Sequence, residues 1–549
     1  MLADTRIDRM PVWLEARKIQ LGIALLLLLA PLAVLYATRL GPWIFSDSVE
    51  YIASARNFLK GEGLGLIKPN GDFQPIYLHP PFYPLTLAVG GALGIDLVQF
   101  ARWMNIVLFG LTVSVAAGLL YNATRSFWLA AAAALLTLTN PDFFWVSSGA
   151  MPEPLFYFLG FAGVFMLILY FQFTKVGYLV AAAAAASIAL LTRFPGAAFV
   201  AAGWVGILLF ARAGWRRRLI DAGLFALIAG IPFLFWAMWV LSHPEAGSPR
   251  QWTFVGVDAW GNLAPFRIEF VNVVWKWLPF NDYLPHIPYS PKPKIMAAAL
   301  LAFVLAIAYV LRRSSKRKQI SWPSNRAFQL WVMLLLISAA SMGIVAAVFA
   351  FSTPALDPSD VDGRILLPLR LSLSLAFLAA AYLVFEAWPG KRWIRFLTAA
   401  LTLVLLSWQL PQAWKSATEL HDNGAGLIAW RNSEMLNQIQ ALPRDVPIIT
   451  NESAAILLYL DRPTYDIPEL ITREPLENFP RFGRGTTGAD RRFREGGAAL
   501  ALFNSAPYQF YWIYYEDTEE RLAALTDGLY VHSTSGDGAI YFFEEPANE

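Results

Sequence analysis

The sequence predicts a polytopic α-helical membrane protein of about eleven spans, with a structured first outward loop and a small C-terminal α/β domain. Three observations lead there. Hydrophobic residues make up 57% of the 549 and charged residues only 15%, where an ordinary soluble domain carries about 25% charged residues. Apolar runs of about 20 residues recur, each long enough to cross a hydrocarbon core of about 30 Å. Lys and Arg gather in alternate short loops, the pattern of a chain inserted with its positive loops inside. The mean hydropathy is +0.46. A net charge of +3 is too small to imply a nucleic-acid partner. The absence of cysteine excludes disulfides, thiolate metal sites and cysteine nucleophiles.

The spans are expected near 20–39, 97–120, 126–139, 153–171, 177–192, 195–211, 219–241, 295–311, 327–350, 364–385 and 395–411. The first has no small-residue cleavage site behind a short apolar stretch, so it reads as a retained span. Arg6, Arg9, Arg17 and Lys18 precede it; Arg125, Lys175, Arg216–Arg218, the basic run 312–318 and Lys391–Arg395 follow on the same side. The intervening loops 140–152 and 352–363 hold no Lys or Arg. This alternation puts the N-terminus in the cytoplasm and the C-terminus outside a plasma (inner) membrane. The division is a transmembrane module over 1–411, with its first outward loop at about 40–96, and a soluble extracytoplasmic domain over 412–549.

In the first loop, 48–60 reads as a helix with Tyr51, Ala55, Phe58 and Leu59 on one stripe, ended by Gly61-Glu62-Gly63. The apolar segment 81–93 is short for a span and is expected in the interface. Trp43, Trp103, Trp145, Trp252, Trp275 and Trp277 fall near outer boundaries, as an aromatic belt would. In the tail, 428–442 reads as a helix, 446–450 as a strand followed by a short helix, 511–515 as a strand, and 529–532 with 539–543 as a hairpin. The tail has no Gly-rich phosphate loop and no nucleophile elbow.

Ionisable residues recur at the predicted outer ends. Asp47 and Glu50 follow the first span, His79 lies in His79-Pro80-Pro81, Glu153 opens the fourth span, Arg193 sits between the fifth and sixth, and Arg364 opens the tenth. Carboxylates supply proton acceptors, and guanidinium groups suit bidentate contact with phosphate. Each has a plainer reading. Asp47-Ser48-Val49-Glu50 fits a capping box, Pro152-Glu153 is an ordinary helix start, and the arginines can snorkel to headgroups. His79 fits an interfacial imidazole, and Asp357, Asp360 and Asp362 fit either a hard-cation site or a solvated acidic loop.

Taken in order, these residues resemble the polyprenyl-phosphate-dependent glycosyltransferases of the GT-C superfamily, nearest to the branch of bacterial protein O-mannosyltransferases and aminoarabinose transferases. The resemblance rests on Ser46-Asp47 with Tyr51 and Ala55, His79-Pro80-Pro81-Phe82-Tyr83-Pro84, Ala101-Arg102-Trp103-Met104-Asn105, Glu153-Pro154-Leu155-Phe156, Leu191-Thr192-Arg193 and Arg364-Ile365-Leu366-Leu367-Pro368. In the tail it rests on Leu442-Pro443, Ile448-Ile449-Thr450-Asn451 and 455–460. It implies inverting transfer of a sugar from a polyprenyl-phosphate donor to a hydroxyl of a protein, lipid or glycan acceptor outside the membrane. Asp47 would be the general base, and Glu153 would orient acceptor or sugar. Arg364, Arg193 and His79 would hold the donor phosphate, and Glu50, Tyr51, Tyr77, Tyr83 and Arg102 would contact substrate. Many relatives carry an Asp-Glu pair where this chain has Ser46-Asp47-Ser48, and some carry Lys where His79 stands. No strong ligand set is present, so no metal is expected to be required; a divalent ion is the alternative, as in the oligosaccharyltransferase branch. A transporter or flippase of a lipid-linked solute, or a non-catalytic subunit of the same fold, is the competing class.

Overall fold

The structure is a computed structural model that describes residues 28–243, 251–252, 257–279, 292–296, 324–353, 361–388, 392–424, 430–467, 497–506 and 525–544, with a few isolated positions beside them. Most of the expected span 295–311 and all of the expected strand 511–515 lie outside the described residues.

The first span appears as α1 (Leu28–Ala37). Ala30, Val34 and Ala37 form its buried stripe, while Leu28, Leu29 and Leu32 face outward. The polar loop then folds as α2 (Ser46–Leu59), an antiparallel hairpin of β1 (Gly65–Ile67) and β2 (Phe73–Pro75), and α3 (Phe82–Ala92). Gly61 and Gly63 end α2 at φ +82° and +109°, a backbone region open to glycine and strained for other residues.

The bundle continues with α4 (Leu97–Thr124), α5 (Phe127–Leu138), α6 (Pro141–Ser147), α7 (Glu153–Phe173), α8 (Val176–Thr192), α9 (Ala197–Phe210) and α10 (Trp215–Leu241). After α11 (Ala259–Lys276) come α12 (Arg326–Phe351), α13 (Leu367–Ala387) and α14 (Arg392–Asn423). Two short strands, β3 (Gln251–Trp252) and β4 (Ser352–Thr353), pair beside α11. Among the described residues six helices are long and apolar enough to span, seven if the bent pair α5–α6 counts as one. Every expected span but 295–311 falls on a helix, yet α1, α8 and α9 are shorter than a full span over the described residues. The predicted loop 140–152 is instead largely helical. Pro141 lacks an N–H and forces Asn140 into extended backbone, so α5 ends there and α6 restarts at 60° to it, capped by Asn140 on the Phe143 N–H at 3.0 Å.

Small residues set the packing. A Cβ on Gly160 would meet the Phe199 ring at 2.4 Å, and one on Gly203 would meet Phe225 at 2.5 Å. Ala182, Ala183 and Ala186 of α8 are buried against α7. Close backbone approach of this kind replaces the hydrophobic driving force that lipid does not supply. α4, α7 and α13 bury most of their apolar windows, whereas α10 and α14 leave theirs largely open.

α14 runs through Pro411 to Asn423, twelve residues past the expected end of the last span. Beyond it lie α15 (Glu434–Ala441), β5 (Ile448–Thr450), α16 (Ser453–Leu460), β6 (Tyr465–Asp466), β7 (Ala499–Phe503), β8 (Tyr530–Ser535) and β9 (Gly538–Phe542). The strands form one mixed sheet in the order β6-β5-β7-β9-β8, with β5 parallel to both neighbours and β8–β9 the expected hairpin. Arg462 ties the end of α15, donating to the carbonyls of Ile439 and Leu442 at 3.1 Å and of Val446 at 2.6 Å. The tail docks on the far end of α2: Lys60 Nζ lies 2.6 Å from Asp461 Oδ2, and Arg56 donates to the Leu457 carbonyl at 3.2 Å. A cleft of about 250 Å³ opens along this seam, lined by Arg56, Arg444, Tyr459 and Asp461. Its arginines Arg56 and Arg462 already serve backbone carbonyls.

Candidate active site

The capping-box reading of Asp47 is corrected by the start of α2. Phe45 is the N-cap, and its N–H donates to the Ser48 hydroxyl at 3.1 Å. Asp47 is therefore the second helical residue, and its carboxylate is released from the cap to meet groups distant in the chain. Arg364 Nη1 donates to Asp47 Oδ2 at 3.1 Å, and His79 Nε2 lies 4.0 Å from Oδ1. Glu50, one turn on, places Oε2 3.4 Å from the same His79 nitrogen.

Glu153 opens α7 with no solvent exposure. Its Oε1 takes a hydrogen bond from Arg193 Nη1 and lies 3.7 Å from Arg364 Nε. Its Oε2 is buried with no hydrogen-bond partner among the described residues. Arg364 thus stands between the two carboxylates, with its guanidinium also 5.2 Å from the Phe45 ring centre. Snorkelling to headgroups is not what either arginine does: both are largely buried and paired. Asp47, Glu153, Arg193, Arg364, His79 and Glu50 form one connected cluster at one end of the bundle.

The backbone around the cluster is held by polar side chains inside it. Asn105 of α4 donates to the carbonyls of Gly149 at 2.7 Å and Met151 at 3.0 Å, fixing the turn that leads into Glu153. Ser48 donates to Met151 Sδ at 3.2 Å, joining that turn to α2. Trp43 is buried rather than in an aromatic belt. Its indole N–H donates to the Trp145 carbonyl at 2.7 Å, and its backbone pairs with the 148–150 stretch. Trp103 is exposed, as a belt residue would be.

Tyr51 is buried beside the cluster, its ring 4.7 Å from His79 and 5.1 Å edge-on to Tyr83. Burial pushes the Tyr51 phenol well above its ordinary pKa, with Arg193 opposing. It stays protonated near neutrality and is a donor, not a base. Tyr77 is half-buried in the stretch between β2 and His79. Arg102 is turned elsewhere, its Nε donating to Thr38 at 3.1 Å and its guanidinium over the Trp103 ring at 5.2 Å. Asp362 accepts the Ile365 N–H at 2.8 Å and shapes the turn carrying Arg364; Asp357 and Asp360 lie outside the described residues. Among the described residues no three His, Asp or Glu side chains come together as a metal-ion ligand set.

Sequence reasoning missed a second ion pair, Arg370 of α13 with Asp142 of α6. The signal was an arginine inside an apolar span, which is costly in lipid and calls for a named partner.

Residues 78–272 match the family model for dolichyl-phosphate-mannose-protein mannosyltransferase. The matched stretch holds His79, Glu153 and Arg193, with Asp47 and Arg364 outside it. The sequence has no match among curated proteins. Among solved structures the chain is similar to ArnT from Cupriavidus metallidurans bound to undecaprenyl phosphate, at TM-score 0.55 and 13% identity over 95% of this chain and 98% of that one. It is also similar to the oligosaccharyltransferase of Archaeoglobus fulgidus tethered with an acceptor peptide, at TM-score 0.50 and 12% identity over 95% of this chain and 74% of that one. The chain therefore has the multi-pass GT-C fold, and over residues 78–272 it matches the mannosyltransferase family of that fold.

Proposed function

We propose that this protein is an inverting membrane glycosyltransferase that moves a sugar from a polyprenyl-phosphate donor to an acceptor hydroxyl on the extracytoplasmic face, with Asp47 as general base. The observation that carries the reading is Arg364, a guanidinium held at 3.1 Å from Asp47 Oδ2 and 3.7 Å from Glu153 Oε1. A cation between two carboxylates is poised to exchange one of them for a phosphate, since guanidinium binds both oxyanions in the same bidentate way. On donor binding Arg364, with Arg193 and His79 beside it, would take the phosphate and release Asp47. The Asp47 carboxylate then accepts the acceptor's hydroxyl proton as that oxygen attacks the anomeric carbon on the face opposite the phosphate. The new bond joins acceptor oxygen to anomeric carbon; the bond that breaks joins that carbon to the phosphate oxygen. The lipid phosphate leaves with the electron pair, and the guanidinium groups stabilise its charge. Glu153, through its unpartnered Oε2, would orient a sugar or acceptor hydroxyl. The step needs no strong general acid, because the leaving group is already a phosphate.

The fold supports this reading, as do the undecaprenyl phosphate in the ArnT structure and the acceptor peptide in the oligosaccharyltransferase structure. Both ligands fit a lipid-linked donor and an outward acceptor. The test is transfer from a panel of polyprenyl-phosphate hexoses and pentoses by the purified protein beside Asp47→Asn, followed by mass spectrometry of lipid donor and free lipid phosphate. Consumption of one donor by the wild type and a loss of about 10²–10⁴-fold in the variant is expected. Equal consumption by the variant would remove the base assignment, and no consumption of any donor would favour the transporter or subunit class.

A further inference from the structure

Asp142 occupies the second helical position of α6, the helix that stands where the sequence predicts the loop 140–152. Its carboxylate pairs with Arg370, whose side chain is only 6% exposed. The Arg370 guanidinium also lies 5.5 Å from the Trp277 ring centre. The same carboxylate packs on the backbone just ahead of Arg364: a Cβ on Gly363 would sit 2.5 Å from Asp142 Oδ1. Asp142 therefore grips the start of the Gly363–Arg370 segment at 363 and its end at 370, with Arg364 between. The opposite end of α6 holds the route to Asp47, since Trp145 stacks on Trp43 at 3.8 Å. One seven-residue helix fastens both chain segments that meet at the Asp47–Arg364 contact.

We propose that Asp142 and Arg370 are positioning residues that set Arg364 opposite Asp47 and Glu153 without touching substrate. The proposal rests on the reading of Arg364 as a donor-phosphate group. An ion pair that only stabilised the bundle would leave phosphate affinity alone; one that places Arg364 acts on affinity through it.

The experiment titrates undecaprenyl phosphate into the full-length protein in nanodiscs, read by tryptophan fluorescence, for the wild type, Arg364→Lys, Asp142→Asn, Gly363→Ala and the double variant Asp142→Asn/Arg364→Lys. Arg364→Lys is expected to weaken binding about tenfold or more, as loss of a charge-assisted bidentate contact does. Asp142→Asn and Gly363→Ala should each weaken it about fivefold, and the double variant should bind within about twofold of Arg364→Lys, because groups acting through one another are not additive. If Asp142→Asn does not fold, Gly363→Ala and its combination with Arg364→Lys decide by the same criteria. Wild-type affinity in the single variants while Arg364→Lys loses binding, or losses that multiply in the double variant, would overturn the positioning role. A wild type that does not bind, or Arg364→Lys binding like the wild type, would remove the reading of Arg364 itself and this proposal with it.

Discussion

The two ends of α7 carry two buried carboxylate sites of opposite kind. At its N-terminus Glu153 meets Arg193 and, through Arg364, is linked to Asp47. These partners come from three separate stretches of chain, and Glu153 Oε2 is left unpartnered. At the other end, roughly 25 Å away by helix rise, Tyr170 donates to Asp221 at 2.6 Å, and Arg217 Nε lies 2.9 Å from Asp221 Oδ1. Arg217 and Asp221 are one turn apart on α10. Both carboxylates are shut away from water, so both need a cation. Asp221 obtains its cation from its own helix: Arg217 Nε lies 2.9 Å from Oδ1 and 3.2 Å from Oδ2, although Oδ1 makes no hydrogen bond among the described residues. Glu153 obtains its cations from afar and keeps one oxygen in reserve. A buried carboxylate whose cation is local and reaches both oxygens serves the fold; one whose cations are distant, shared and gathered at a single oxygen is equipped for a ligand.

The largest effect expected from this contrast is in stability. Arg193→Ala leaves Glu153 buried with Arg364 alone at 3.7 Å, and should cost about 3–5 kcal/mol, as breaking one side of a buried pair does. Unfolding in detergent, followed by circular dichroism, measures it; a cost under about 1 kcal/mol would mean water reaches Glu153. Next, Glu153→Gln should lower transfer by about tenfold to hundredfold, while Asp221→Asn should leave it within about twofold and instead cost about 1–3 kcal/mol of stability. The reverse pattern, with transfer lost in Asp221→Asn and kept in Glu153→Gln, would break the comparison.

The smallest effect is expected in the tail, where Asp537 accepts hydrogen bonds from Ser433, from Ser535 at 2.8 Å and from the Met435 N–H at 3.1 Å. Burial pushes its carboxyl up, but the Ser433, Ser535 and backbone bonds together outweigh this and hold it below the ordinary value. A lowered folded pKa means the stabilisation is complete above the unfolded value of about 3.9 and fades as pH falls through the folded value. Asp537→Ala should thus lower the unfolding midpoint at neutral pH by the equivalent of at most about 1 kcal/mol, since solvent screens part of the contact. That difference should narrow as the pH falls below the unfolded value of about 3.9, with transfer unaffected.

Much of the site's composition was legible in the sequence, because ionisable groups are expensive in lipid and stand out in an apolar chain. Asp47, Glu153, Arg193, Arg364 and His79 were each picked out on that ground, and the structure brings all five together. Arg102 entered through the resemblance alone, and nothing in its spacing tells that its guanidinium turns to Thr38 and Trp103. The capping box at Asp47-Ser48-Val49-Glu50 was a sound local reading that lost to a shift of two residues. Ser48 caps Phe45 from within the helix, an outcome supported by its contact to Met151, 103 residues away. α6 was illegible because a seven-residue helix has too few residues for a period to show.

What the sequence by itself determined is the class of the molecule, its apolar helices, the order of its polar pieces and the residues able to carry charge. These follow from composition and from periodicity within single elements. Only the tertiary structure decided which charges meet: that Arg364 stands between Asp47 and Glu153, that Asp142 pairs with Arg370, and that Glu153 keeps one oxygen free. These contacts join residues up to 317 positions apart. They are fixed by how small residues let helices approach and by where Pro141 bends the chain, and no local pattern encodes the sum of those choices.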